Sequence, residues 1–121
     1  MKCLLSIGSN VGNREKQISD AIRHLESLAA IVKRSPVYES RDSNGSGKKY
    51  LNSVVEVNTE MTEKDMNQRL KEYELMMGRT NESRERGEVP IDLDIVVCNG
   101  DVVRLKDYQS SYFKYGLERM R

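Results

Sequence analysis

A chain of 121 residues has room for one hydrophobic core and not two, so 1–121 reads as a single domain. Charged residues make up 32% of it, yet 20 basic and 19 acidic side chains nearly cancel, which excludes a global field that would recruit nucleic acid or a membrane surface. The two cysteines, Cys3 and Cys98, each sit in an apolar run; their number and spacing fit neither a zinc site nor a disulfide framework, and they read as buried free thiols in a reducing cytoplasm.

The N-terminal stretch MKCLLSIGSNVGNRE holds an apolar run of only about five residues, too short for a signal-peptide core or a membrane span, so a soluble cytoplasmic protein is expected. Residues 2–8 (KCLLSIG) read as a first strand, stopped by the turn-rich GSNVGN. From Arg14 to Ala30, Ile18, Ala21, Ile22, Leu25, Leu28 and Ala29 recur at helical spacing, with Asn13 as N-cap. Residues 31–39 (IVKRSPVYE) suggest a second strand, and Pro36 places it at an edge or a bulge. The polar stretch 40–49 (SRDSNGSGKK) is longer than a tight turn requires and reads as a loop with a function.

Residues 50–58 (YLNSVVEVN) form a third strand, with Leu51, Val55 and Val57 on one face and Ser53 interrupting it. Thr62 to Asp65 match the capping pattern that opens a helix; Met66, Leu70, Tyr73 and Met77 give that helix an apolar stripe, and Gly78 ends it. Residues 79–89 (RTNESRERGEV) are an arginine-bearing loop leading into a last strand over 90–98, PIDLDIVVC. The order β-α-β-β-α-β predicts an α+β, ferredoxin-like fold: an antiparallel sheet with both helices on one face. The tail from Asn99 to Arg121 is weakly patterned, with YFKYGLERMR as a short helix.

The chemistry concentrates in the last strand. Asp92 and Asp94 interrupt an apolar run, and alternate residues of a strand share a face, so their backbones lie about 6.6 Å apart on one side. A buried carboxylate needs a cation, a hydrogen-bond set or water, and such a pair suits divalent metal or arginine partners equally. Arg79, Arg84 and Arg86 precede it closely. Arginine suits bidentate phosphate contact, and magnesium binds through one or two carboxylates plus phosphate oxygens. The same arginines could instead pair with Glu82, Glu85 and Glu88. Asn52 at a strand entrance can read the donor and acceptor edge of a flat heterocycle, and Tyr50 can stack on its face, although each also suits a structural role. IGSN at Ile7 to Asn10 reads as a turn, and His24, the only histidine, lies within the first helix, away from acid–base chemistry.

In combination these motifs resemble a family. IGSN, SPVYES, YLNSVVEV, E-L-x-x-G-R (Glu74 to Arg79) and I-D-L-D-I, in that order, resemble 6-hydroxymethyl-7,8-dihydropterin pyrophosphokinase over about residues 4–103, leaving 104–121 as a divergent tail. The resemblance implies transfer of pyrophosphate from ATP to a pterin alcohol in folate biosynthesis, with ATP as co-substrate and two magnesium ions. It implies metal binding by Asp92 and Asp94, and catalytic roles for both and for Arg79. Arg79, Arg84, Arg86, Glu74 and Ile95 would serve the nucleotide, Asn52 and Tyr50 the pterin. The loops at 40–49 and 79–89 would close over the substrates. Small molecules are the expected partners, and the oligomeric state stays open.

The chain also departs from the pattern. Val89 stands where the family usually carries an arginine three residues before the first metal aspartate, and Pro90 is shifted. Arg86 precedes Gly87 where a tryptophan-like residue is usual, and the chain is short for the family, with no Pro-His segment after residue 103. Tyr112 and Phe113 are the candidates for the aromatic that stacks on the pterin. A non-catalytic pterin- or nucleotide-binding relative is the alternative reading, and a regulatory domain whose aspartates merely pair with arginines is a third.

Overall fold

Alternation along the first strand sets up the two faces on which everything else is built. In β1 (Lys2–Ser9), Cys3, Leu5 and Ile7 point to one side and are at most 1% exposed, while Ser6 and Gly8 point to the other. A computed structural model describes residues 1–41 and 47–121, so the centre of the stretch expected as a functional loop, 42–46, lies outside the described residues. Around β1 stands an antiparallel sheet in the order β2-β4-β1-β5-β6, with β3 also paired to β4. Its strands are β2 (Ala30–Arg34), β3 (Tyr38–Arg41), β4 (Lys49–Asn58), β5 (Asp92–Cys98) and β6 (Asp101–Val102). The expected α+β class holds.

Both long helices pack on the apolar side. In α1 (Arg14–Glu26), the Asn13 side chain caps by accepting from the Lys16 amide at 3.1 Å, and Ile18, Ala21, Ile22 and Leu25 are buried. In α2 (Glu63–Met76), Thr62 accepts from the Asp65 amide at 3.2 Å, and Gly78, at φ +99°, supplies the left-handed turn that ends the helix. These helices close one core with Leu5 and Ile7 of β1, Val55 and Val57 of β4, and Leu93 and Ile95 of β5. Aliphatic burial of this kind, at about 25 cal/mol per Å² of apolar surface, is the main force holding the layers together.

Four expectations are corrected. Helix α1 stops at Glu26 and not Ala30, because the Ser27 hydroxyl donates to the His24 carbonyl at 2.6 Å and the chain turns into β2. The strand expected over 31–39 is two strands, broken at Pro36, which has no N–H for the ladder; Ser35 bridges the break through its amide to the Val54 carbonyl at 2.8 Å. The 79–89 loop contains a helical turn, α3 (Asn81–Glu85), capped reciprocally by Thr80 and Ser83. The apolar stripe of α2 ends on buried Glu74, and Met77 is 39% exposed.

The tail is ordered more fully than its pattern suggests. Two short helices follow β6, namely α4 (Leu105–Tyr108) and α5 (Ser111–Glu118). Phe113 of α5 is fully buried against Val54, Val96 and Val97, so this helix covers the sheet face opposite α1 and α2. The sequence pattern puts the two long helices on one face and assigns the short tail helix to neither. Cys3 and Cys98 are register partners, buried and free, as anticipated. Among the described residues, no helix is long and apolar enough to cross a membrane.

Candidate active site

The uncovered half of that second sheet face is floored by three adjacent strands. Gly8 of β1 lies opposite Asp92 of β5 on one side and opposite Asn52 of β4 on the other; Ser6 lies opposite Asp94. With the period of a strand, Asp92, Asp94, Asn52 and Tyr50 therefore all rise from the same surface. They border a cavity of about 670 Å³. Gly8 keeps its floor flat: a Cβ there would come within 3.3 Å of the Tyr50 ring and 3.4 Å of the Asn52 amide oxygen.

Behind the aspartates stands Glu74, brought by α2 and 3% exposed. It accepts the Leu93 amide at 2.8 Å, so its carboxylate is pinned to the middle of the DLD run. Oxygens of Glu74, Asp92 and Asp94 all lie within 4.8 Å of one another. Three negative groups so close repel, and cations offset the charge. Arg79 Nη1 donates to Asp92 and, at 3.3 Å, to Glu74. Lys71 Nζ donates to Glu74 at 2.8 Å, to Asp94 at 3.0 Å and to the Leu93 carbonyl at 2.9 Å. Arg104 reaches Asp94 at 3.7 Å and also pairs with Asp107. Burial pushes the Asp94 carboxyl above its ordinary value and the Asp92 charge adds to this, outweighing the pull of Lys71. Burial works against the charged Lys71, but Asp94 and Glu74 overcome it and hold the ammonium above its usual range.

The opposite wall is aromatic and amide. Asn52 is 4% exposed and its Nδ2 donates to Ser40 Oγ at 2.7 Å, which fixes how the amide is presented. Tyr112 borders the cavity, its hydroxyl donating to Asp107 at 2.8 Å, and the Tyr38 hydroxyl holds its carbonyl at 2.6 Å. Phe113, the other stacking candidate, belongs to the core beneath α5.

The arginine loop is anchored rather than free. Asn10 is 7% exposed; its side chain donates to the Gly87 carbonyl at 3.0 Å and accepts the Val89 amide at 2.6 Å, and its own amide donates to the Val89 carbonyl at 2.9 Å. The IGSN segment, expected as a turn, thus continues β1 to Ser9 and then clamps the loop beside the aspartates. Arg84 and Arg86 line the cavity, and the glutamate-pairing option holds for Arg86, whose Nε donates to Glu88 at 2.6 Å.

Of the residues singled out in the sequence, Asp92, Asp94, Arg79, Asn52, Tyr50, Arg84 and Arg86 meet at this cavity, with Glu74 directly behind it. Ile95 does not; it is 4% exposed in the core under the helices. Sequence reasoning missed Lys71, Arg104 and the clamping role of Asn10. The signal for Lys71 was its position three residues before Glu74 on one helix face.

The donor set is chemically consistent with magnesium: hard carboxylate oxygens, clustered and partly buried, beside several arginines that suit phosphate. Arg79 Nε is buried and has no partner among the described residues.

The chain is 35% identical over 106 residues to the 2-amino-4-hydroxy-6-hydroxymethyldihydropteridine pyrophosphokinase of Aquifex aeolicus, covering 84% of this chain and 64% of that protein. It is 32% identical over 98 residues to the Bacillus subtilis protein of the same name, covering 78% and 58%. A folate synthesis bifunctional protein of Arabidopsis thaliana is 28% identical over 95 residues, a match covering 77% of this chain and 20% of that one. The matches thus span less than two thirds of each of these relatives. The model of the 7,8-dihydro-6-hydroxymethylpterin-pyrophosphokinase family matches residues 4–118, nearly the whole chain, and the chain belongs to that family.

Proposed function

We propose that this chain transfers pyrophosphate from ATP to 6-hydroxymethyl-7,8-dihydropterin, with magnesium, in folate biosynthesis. The observation that carries the reading is the convergence on one cavity of a carboxylate cluster, several arginines and an amide–aromatic wall, in a chain of this family. Phosphoryl and pyrophosphoryl transfer is mostly positioning and charge neutralisation, and the site offers both. Two magnesium ions, held by Asp92 and Asp94, would supply the charge neutralisation of the triphosphate.

The chain's own residues divide the remaining work. Asn52, locked by Ser40, presents its amide to the edge of the pterin, and Tyr50 and Tyr112 offer aromatic faces for the ring. Arg79 is already oriented by Asp92 and Glu74, so it presents its charge to the phosphates at little further entropic cost. Arg84 and Arg86 face the same cavity from α3 and its C-terminus and supply further phosphate contacts when Arg86 releases Glu88. With Val89 in place of the expected arginine, Arg104 is the best-placed substitute, since it lines the cavity at half exposure beside Asp94. The free buried thiols fit a reducing cytoplasmic setting.

The test is AMP formation from Mg-ATP with and without the pterin. Pterin-dependent AMP that is lost in Asp92→Ala and in Asp94→Ala supports the reading. No AMP at high protein concentration overturns it and leaves the non-catalytic binding module, which nucleotide and pterin titrations would then reveal.

A further inference from the structure

Lys71 holds a place that none of the expected site residues accounts for. Its ammonium is coordinated by three oxygens: Glu74 at 2.8 Å, the Leu93 carbonyl at 2.9 Å and Asp94 at 3.0 Å. This is a compact cation in an oxygen cradle, and two of the three oxygens belong to the carboxylate cluster. The cradle treats its cations differently. Arg79 has a side chain 20% exposed, whereas the Lys71 side chain is 40% exposed and hangs on a flexible four-carbon stem with solvent to swing into.

The partners left behind are equally unequal. Without Lys71, Glu74 keeps the Leu93 amide and Arg79. Among the described residues Asp94 keeps only Arg104 at 3.7 Å, and that arginine is shared with Asp107. A carboxylate as buried as Asp94, 13% exposed, pays heavily for losing its partner, so it exchanges one cation for another rather than standing bare.

We infer that Lys71 is a tethered cation that competes with a divalent ion for Asp94 and Glu74, so that the ion enters the free protein only by displacing the ammonium. The inference rests on the magnesium-dependent reading above. It makes Lys71 a positioning residue: it keeps the cluster together before the metal arrives and weakens metal binding in the absence of nucleotide. Metal carried in on a triphosphate then has an advantage over metal alone, because the phosphates give the displaced ammonium a new anionic partner.

The experiment is a titration of the full chain with Mn2+ alone, following free ion by electron paramagnetic resonance, in wild type, Lys71→Met and Lys71→Arg. Lys71→Met is expected to bind about tenfold more tightly than wild type, a gain of about 1.4 kcal/mol, with Lys71→Arg close to wild type. Equal or weaker binding in Lys71→Met overturns the inference. A second measurement needs no variant to fold. In protein labelled at lysine Cε, the Lys71 resonance is expected to shift on saturation with Mg2+, and a resonance that stays put overturns the displacement. If wild type takes up no Mn2+ even with nucleotide, the magnesium reading itself fails; if it binds Mn2+ but Lys71→Met changes nothing, only the competition fails.

Discussion

The two faces of the sheet follow opposite rules. On the face covered by α1 and α2, Leu5, Ile7, Val55, Val57 and Leu93 are fully buried, and no ionised group intrudes until Glu74 at the rim. On the other face, the same strands alternate into Ser6, Gly8, Asn52, Asp92 and Asp94, and the short helix α5 covers only the end away from them. One face is built to minimise free energy; the other presents Asp92 and Asp94, whose oxygens lie within 4.8 Å of Glu74 at the rim, and keeps a cavity of about 670 Å³ open beside them. Stability and function therefore occupy different sides of shared strands, and a substitution's consequence follows from which way its side chain points.

Truncation on the closed face breaks the comparison most severely. Leu70 of α2 is fully buried between the helices and the sheet, so Leu70→Ala is expected to cost about 2–5 kcal/mol, read as a lower urea midpoint at unchanged slope. Next comes the contact between α5 and the sheet. A Cβ on Gly116 would clash with the Tyr38 hydroxyl and meet a Val54 methyl at 2.5 Å. Gly116→Ala must push α5 off β4, at a cost of about 1–3 kcal/mol. Because Tyr38 also holds the Tyr112 carbonyl at 2.6 Å, the shift should weaken pterin binding more than nucleotide binding, a split that calorimetry with each ligand would read.

A substitution on the open face sharpens the contrast. Burial holds the Asp94 carboxyl above its ordinary value, so its charge is not a net source of stability near neutral pH. Asp94→Asn should alter folding stability by no more than about 1 kcal/mol, because Lys71 retains Glu74 and Arg104 retains Asp107. The same change should abolish Mn2+ uptake. A loss of several kcal/mol would mean that the carboxylate cluster supports the fold as well as the chemistry.

Much of this division was legible in the residues. The DLD run announced two carboxylates on one side of a buried strand, and the spacing of Ile18, Ala21, Ile22 and Leu25 announced the helix that faces away from them. Pro36 signalled an edge irregularity, although that it divides the strand in two depended on Ser35 finding Val54. What stayed hidden was tertiary. Glu74 occupies the position where a helical stripe after Met66 and Leu70 asks for an apolar residue, and its burial makes sense only with the Leu93 amide and two cations around it. Lys71 looks like any helix-surface lysine until the DLD strand is placed beside it. The tail gave little periodicity because α5 needs only Phe113 and its neighbours to dock.

The smallest effect lies on the closed face, at the outer edge between the two helices. His24 stacks on Tyr73 with ring centroids 4.2 Å apart and an interplanar angle of 18°, and its Nε2 is buried with no partner among the described residues. Burial lowers the His24 pKa below its ordinary 6.5, and the charge of Arg69 adds to this. The folded state therefore prefers the neutral ring. Above about pH 6.5 both folded and unfolded chains carry it neutral and no penalty arises. As pH falls from there toward the lower folded pKa, the unfolded chain takes up the proton first, so stability declines through that window. The imidazole is partly buried with its Nε2 fully so, and the effect of this single group is expected to be the smallest of the four substitutions. His24→Gln should remove this contribution between pH 7 and 5. Identical pH profiles for the two proteins in urea melts would show that the buried imidazole carries no pH-linked cost.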